Sequence, residues 1–196
     1  MNNKVILVTG GTGSFGQKFT EIVIKEHNPK ARSEAKSSEQ LPLVTIIIPS
    51  LNQGDFIERT LLSILKQDYP NKEIIVMDGA STDDTVDILR RYSAEVQWVS
   101  EKDKGYADAV NKGLRMARGE IIGIQSSDDY YTRHAIGEAA NLLTRYPEAS
   151  LVSGKRIHID AKNQEIMRSG NQNRIAASSS RVTKKLETAC LSSRIL

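Results

Sequence analysis

Two adjacent carboxylates, Asp128 and Asp129, follow the apolar run "IIGIQ" (121–125) after two serines. Side by side at the tip of a strand they repel each other. A divalent cation removes that cost, and carboxylate oxygens suit Mg²⁺ or Mn²⁺. A metal held there neutralises a diphosphate and makes it a better leaving group. Three other apolar runs end in polar clusters of related chemistry. "LVTIIIP" (43–49) closes on Pro49, expected to stop the strand ladder, and leads to Ser50 and Asn52, which can hydrogen-bond a base or ribose. "EIIVMD" (73–78) ends on Asp78, placed to accept from a base N–H or a ribose hydroxyl, with Gly79 freeing the turn behind it. Ser81 or Thr82 then reads as a cap for the next helix, with Asp83 and Asp84 favourable to its dipole. "EVQWVS" (95–100) runs into "EKDKG", where Lys104 and Gly105 can lie against phosphate or base.

The elements that must position these groups alternate. Phe56, Ile57, Leu61, Ile64 and Leu65 make one helical face after the first run, and a short helix begins near Val86 after the second. Helices are expected over about 106–118 and 134–146, followed by short strands at 151–153, 156–159 and 165–168. This alternation predicts an α/β fold: a mostly parallel sheet with helices on both faces. Ligands of such sheets sit at the carboxyl ends of the strands, where the four clusters fall.

A separate feature stands near the start. "VTGGTGSFG" (8–16) follows the strand candidate Lys4–Val8 and precedes helical spacing at Phe15, Phe19, Ile22 and Val23. Gly10, Gly13 and Gly16 are available to let a pyrophosphate approach the backbone at a helix N-terminus. The stretch resembles the start of the extended short-chain dehydrogenases, in particular the nucleotide-sugar 4,6-dehydratases, over about 32 residues. That resemblance implies an NAD(P)-dependent dehydratase or epimerase as the alternative activity. The second strand that should carry a ribose-binding carboxylate instead falls in "ARSEAKSSEQ" (31–40), and no tyrosine has a lysine four positions later. Residues 1–32 are therefore expected to be a β-α fragment of dinucleotide-binding type with only a weak phosphate turn.

The four clusters taken together are more specific. "TIIIPSLNQGDFIERTLLSILKQDYPNKEIIVMDGASTDDTVDIL", "SEKDKGYADAVNKGLRMARGEIIGIQSSDD" and "SLVSGKRIHID" resemble, in order and spacing, the family-2 glycosyltransferases, which have the GT-A (Rossmann-like) nucleotide-sugar-binding fold. The resemblance covers residues 43–169. It implies sugar transfer, with inversion at the anomeric carbon, from a nucleoside-diphosphate donor to an acceptor hydroxyl in surface-polysaccharide synthesis. It places Pro49, Ser50, Asn52 and Asp78 on the nucleoside, and Asp128 and Asp129 at the metal and diphosphate position of the Asp-x-Asp signature. The first aspartate of that signature is Ser126 here, which is expected to weaken metal affinity without abolishing binding. Mg²⁺ or Mn²⁺ is the implied cofactor, a UDP-sugar the expected donor, and a glycan or lipid-linked molecule the acceptor.

Such a reaction needs a general base to take the acceptor proton. No acceptor-side aspartate cluster follows Gly170, so the catalytic base is unassigned and an acceptor side cut short is expected. An inactive chimeric product is the corresponding alternative. Residues 33–42 read as a polar linker, and residues 170–196, serine-rich and without a period, as an irregular, disordered tail. The chain has 196 residues, a net charge of +3 and a single cysteine, Cys190. That balance calls for no nucleic-acid partner, and the cysteine count fits a reducing, cytoplasmic setting. No apolar run has transmembrane length and the start is no secretory signal, which leaves peripheral association at the inner membrane face as the expected membrane link.

Overall fold

The computed structural model describes residues 5–8, 41–147, 149–160, 164–169, 174–177, 183–185 and 190–194. The glycine turn at Gly10, Gly13 and Gly16, the helix expected after it and most of the expected linker lie outside them.

The described strands are β1 (Val5–Val8), β2 (Val44–Ser50), β3 (Lys72–Asp78), β4 (Gln97–Ser100), β5 (Ile121–Ile124), β6 (Tyr130–Tyr131), β7 (Ala149–Ser153), β8 (Lys155–Ile159), β9 (Glu165–Ser169), β10 (Arg174–Ala177), β11 (Thr183–Lys185) and β12 (Cys190–Arg194). The helices are α1 (Gly54–Leu65), α2 (Thr85–Arg91), α3 (Tyr106–Met116) and α4 (Ala135–Arg145). One sheet runs β11-β10-β7-β1-β5-β2-β3-β4, and a smaller one runs β6-β12-β8-β9. In the large sheet β4, β3, β2, β5, β1 and β7 are all parallel, and β10 and β11 are antiparallel additions at one edge.

The apolar runs are continuous because parallel strands are covered on both faces. Alternate residues of β2 serve opposite sides. Val44, Ile46 and Ile48 join Ile57, Leu61 and Ile64 of α1, Leu89 of α2 and Ile136 and Leu143 of α4 in one core. Ile47 faces the other way and joins Ile75, Met77, Ile122 and Ile124 with Ala109 and Val110 of α3. Burying each large aliphatic side chain contributes about 1.5–3 kcal/mol. The α/β architecture with helices on both faces is the one expected from the sequence.

Two expectations need correction. Within 170–196 the described residues, 174–177, 183–185 and 190–194, form β10, β11 and β12, where the sequence predicts no regular structure. A strand can be recruited by backbone pairing to an existing edge, as β10 is by β7, and such pairing requires no apolar period. Pro49 also does not end β2. Pairing with β5 stops at Ile47, but pairing with β3 continues through Pro49↔Met77 and Ser50↔Asp78.

At the amino-terminal edge of the strands a buried carboxylate ties three segments together. Glu73 Oε1 accepts from Thr45 Oγ1 at 2.5 Å and from the Arg118 N–H at 2.7 Å, while Oε2 accepts from Arg118 Nε at 2.9 Å. Gly119 sits so close that a Cβ there would stand 2.5 Å from Thr45 Oγ1 and 2.8 Å from the Leu43 carbonyl oxygen. Gly119→Ala is therefore expected to destabilise the fold by about 1–3 kcal/mol, read from the urea midpoint.

Burial alone would raise the Glu73 pKa, but the bonds from Thr45 and Arg118 outweigh it and hold the carboxyl below its ordinary value. A depressed folded-state pKa gives stability that is complete above the unfolded value, about 4.3, and is lost as pH falls through the folded one. In Glu73→Gln this part of the acid dependence disappears. Denaturation curves across the acid range should show a flatter decline for the variant than for the parent.

Candidate active site

The parallel strands β2, β3, β4 and β5 deliver their following loops to one edge of the sheet. Asp78 closes β3 and is 2 % exposed. One carboxylate oxygen accepts from the Ser81 N–H at 3.0 Å and from Ser100 Oγ at 2.5 Å, and the other from Ser81 Oγ. Asp78 thus fastens the end of β4 to the loop after β3. Ser81 Oγ in turn accepts from the Asn52 N–H at 2.7 Å, and Asn52 Oδ1 accepts from the Thr82 N–H at 2.9 Å. Asn52 and Ala80 are the two described non-glycine residues with positive φ, at 51° and 65°. Asn tolerates that region, whereas Ala there stores strain that the surrounding bonds must hold. Both lie in the interlocked loops.

Ser50 is 5 % exposed, and its hydroxyl has no hydrogen-bond partner among the described residues. A buried hydroxyl left unpaired costs about 1–3 kcal/mol, which a bound polar ligand atom would offset. Asp83, expected at a helix start, serves two. Its carboxylate accepts from the Gly54 N–H of α1 at 2.8 Å and from the Thr85 N–H of α2 at 3.0 Å. Desolvation by its neighbours would raise its pKa, but the Thr85 and Gly54 bonds outweigh that and lower it. Asp84 stands at the helix start without a side-chain cap bond.

In the loop after β4, Asp103 Oδ1 accepts from the Gly105 N–H at 2.7 Å, and the Lys104 N–H donates to Asp108 Oδ2 at 3.1 Å. Gly105 holds φ at 103° at the start of α3, a value that favours glycine. Asp103 Oδ2 would lie 2.9 Å from a Cβ on Gly79, so that turn admits the neighbouring loop only without a side chain.

The loop after β5 carries Asp128 and Asp129, both half-buried. Thr60 Oγ1 of α1 lies 2.8 Å from the Ser127 carbonyl oxygen and 2.7 Å from that of Asp129, anchoring the backbone beneath the carboxylates. Tyr106 of α3 is hydrogen-bonded to Ser126. Desolvation holds its phenol above the ordinary range, the nearby Asp129 and Asp128 charges add to that, and the Ser126 bond opposes it. The Arg59 guanidinium stacks 3.9 Å from the Tyr130 ring centre.

Among the described residues no group of three or more His, Cys, Asp and Glu side chains gathers as a metal cage. Mg²⁺ and Mn²⁺ are often held by one or two carboxylates together with substrate phosphates rather than by an all-protein cage. The adjacent, half-buried pair Asp128 and Asp129 fits that donor set.

The structure therefore brings Pro49, Ser50, Asn52 and Asp78 to one end of the sheet, with Lys104, Gly105, Asp128 and Asp129 on the loops that follow β4 and β5. The sequence reading did not single out Ser100, Asp103, Thr60 or Tyr106. Asp103, two residues before a positive-φ glycine, carried the clearest signal of a carboxylate bonded to its own loop.

Comparison with known proteins gives the family and the fold. The family model described as Glycosyl transferase family 2 matches residues 45–194. The chain is 35% identical over 129 residues to chondroitin synthase of Escherichia coli, covering 62% of this chain and 19% of that protein. It is 40% identical over 96 residues to the putative teichuronic acid biosynthesis glycosyltransferase TuaG of Bacillus subtilis, covering 47% and 38%. It is 38% identical over 105 residues to the UDP-Glc:alpha-D-GlcNAc-diphosphoundecaprenol beta-1,3-glucosyltransferase WfaP of Escherichia coli, covering 53% and 42%. The chain thus spans less than half the length of each of these relatives.

Among solved structures, the mannosyltransferase PcManGT of Pyrobaculum calidifontis, in complex with GDP-Man and Mn²⁺, superposes with a TM-score of 0.51 at 30% identity, over 74% of this chain and 44% of that one. Residues 1–349 of S. aureus TarS in complex with UDP-GlcNAc give a TM-score of 0.52 at 23% identity, over 64% and 37%, a likeness of fold. The family match starts at residue 45, so the weak phosphate turn at Gly10, Gly13 and Gly16 lies before it, and these matches lend no support to a dehydratase fragment at residues 1–32.

Proposed function

The chain belongs to glycosyl transferase family 2, and on that premise we propose that it binds a UDP-sugar and transfers the sugar, with inversion, to a hydroxyl of a lipid-linked or glycan acceptor in surface-polysaccharide synthesis. The observation that carries this reading is the convergence of Asp78, the unpaired Ser50 hydroxyl and the Asp128–Asp129 pair at one end of a parallel sheet. The nucleoside lies against the loops after β2 and β3, where Ser50 offers an unused hydroxyl and Asp78 holds Ser81, Ser100 and, through Ser81, Asn52 in place. The diphosphate lies towards β5, with Lys104 and Gly105 on the adjoining loop. Asp128 and Asp129 would hold Mg²⁺ or Mn²⁺ there, and the ion would supply charge neutralisation of the leaving diphosphate. Thr60 keeps the loop backbone from moving when the carboxylates engage.

The named chemistry of relatives supports the substrate class. One solved neighbour holds UDP-GlcNAc, another GDP-Man with Mn²⁺, and WfaP is named for a UDP-Glc donor and a diphosphoundecaprenol-linked acceptor. Among the described residues no helix is long and apolar enough to cross a membrane. Peripheral association at the inner membrane face, where a lipid-linked acceptor would be met, is part of this proposal.

The test is nucleotide release from UDP-glucose, UDP-N-acetylglucosamine and GDP-mannose with Mn²⁺, with and without a diphospholipid-linked N-acetylglucosamine acceptor. UDP release that the acceptor accelerates is the expected result. Absence of release from every donor, in protein shown to be folded, would refute transfer by this chain.

A further inference from the structure

The strand β1 lies outside the stretch matched by the family model, which begins at residue 45, yet it occupies the interior of the large sheet. It is parallel to β5 over its full length, with Val5↔Ile121, Ile6↔Ile122, Leu7↔Gly123 and Val8↔Ile124. On its other side it is parallel to β7, with Ile6↔Leu151 and Leu7↔Val152. β5 and β7 do not pair with each other; β1 lies between them. Without it, both would present unpaired backbone edges in the middle of a covered sheet. The residues at those edges are core residues, since Ile121 and Ile122 are 2 % and 0 % exposed and Val152 is 1 % exposed. An open apolar edge of that kind is an aggregation hazard that folded proteins cover.

We propose that the gap between β5 and β7 is a strand-acceptor slot filled by residues 5–8 of the same chain, and that this strand braces β5 and the acidic loop it carries. Two observations argue for the chain's own segment as occupant. Thirty-five residues, 9–43, separate β1 from β2, and a parallel return needs a crossover of only a dozen or more. Pairing is in register over Val5–Val8 on the β5 side and over Ile6 and Leu7 on the β7 side, so the slot fits a short parallel strand with no bulge. The consequence for the site is direct. β5 is held on one side by β2 and on the other by β1, and Ser126 to Asp129 follow at its end. A segment outside the matched family region thereby becomes a positioning element for the loop that carries Asp128 and Asp129.

The test is hydrogen exchange read by mass spectrometry on the full chain without nucleotide, so its outcome is independent of whether the chain transfers sugar. The amides of Ile6, Leu7 and Val8 should exchange at least about 100-fold more slowly than unstructured peptide, in protein that sediments as a monomer. In full-length Leu7→Pro, which removes a ladder donor from an interior strand, exchange at Ile121–Ile124 should quicken about 10-fold or more while β3 and β4 stay protected. Free exchange at residues 6–8, or protection found only in a dimer with exchanged strands, would overturn the proposal. So would a folded Leu7→Pro protein with unaltered protection at β5. If that variant does not fold, the exchange of the unaltered chain still decides.

Discussion

Replacing Asp128 and Asp129 together by alanine abolishes Mn²⁺-dependent binding of uridine diphosphate while leaving the fold intact; this is the largest effect the site's geometry predicts. The two side chains are half-buried on a loop whose backbone is anchored by Thr60 at the Ser127 and Asp129 carbonyls. Removing both carboxyls leaves that backbone anchor in place. It does remove the pair of anionic oxygens that an ion between loop and diphosphate requires. A loss of at least about 100-fold in affinity with Mn²⁺ present, equivalent to about 2.7 kcal/mol, is expected. Binding measured with the metal chelated should change far less, because the nucleoside contacts lie on the loops of β2 and β3. Equal loss with and without metal would show that the carboxylates support the loop instead of an ion. The Thr60 contacts provide a control: Thr60→Val should loosen the loop and weaken binding less than the double alanine change.

The second large effect is expected at Asp78. It is buried, and its two oxygens accept from the Ser81 N–H, Ser81 Oγ and Ser100 Oγ. Asp78→Ala leaves those donors without their acceptor, at a cost of about 1–3 kcal/mol for each group that stays buried and unpaired. Some of these donors will find water, so a net destabilisation of about 2–4 kcal/mol is expected in urea titrations. Ser81 is also the acceptor for the Asn52 N–H, so the loss reaches the loop after β2. Nucleotide affinity should fall by 10-fold or more, at temperatures where the variant remains folded, on the order of 1.4 kcal/mol. Ser100→Ala removes one donor and no charge, and should cost about 1 kcal/mol. Asp78→Ala with parental stability would contradict the role assigned here to the carboxylate as the fastening between β3 and β4.

Much of the architecture was readable from the residues because parallel strands covered on both faces leave a strong trace. The runs "TIII" and "EIIVM" are apolar without a break, and each is followed by polar residues and then a helical face. The strand-end location of Ser50, Asp78 and Asp128 follows from that alternation alone. The connections among them do not. Asp78 meets Ser100 across 22 residues, Thr60 meets Asp129 across 69, and Asp83 reaches back 29 residues to Gly54. Such contacts depend on register and on which strands are neighbours, and no local pattern encodes either. Asp83 was legible as a residue of a helix start, but its service to α1 as well as α2 needed the β2–β3 pairing.

The strands β10, β11 and β12 illustrate the converse limit. Their sequence has no alternation strong enough to mark a strand; β10 pairs with the edge of β7, β11 with β10, and β12 with β6 and β8. β1 was legible as a strand by its valines and isoleucine, but its place between β5 and β7 was not. Four apolar residues at the start of a chain are compatible with any parallel sheet, and only the vacant partners select the slot.

The measurement that bears most directly on the donor site is a calorimetric titration of the full chain with uridine diphosphate, with Mn²⁺ and again with the metal chelated. Saturable binding at one site, tighter with Mn²⁺ and losing that metal dependence in the Asp128→Ala, Asp129→Ala protein, is the predicted result. No binding of uridine or guanosine diphosphate under either condition, by protein whose sheet is intact, would contradict the assignment of this strand edge to a nucleotide-sugar donor.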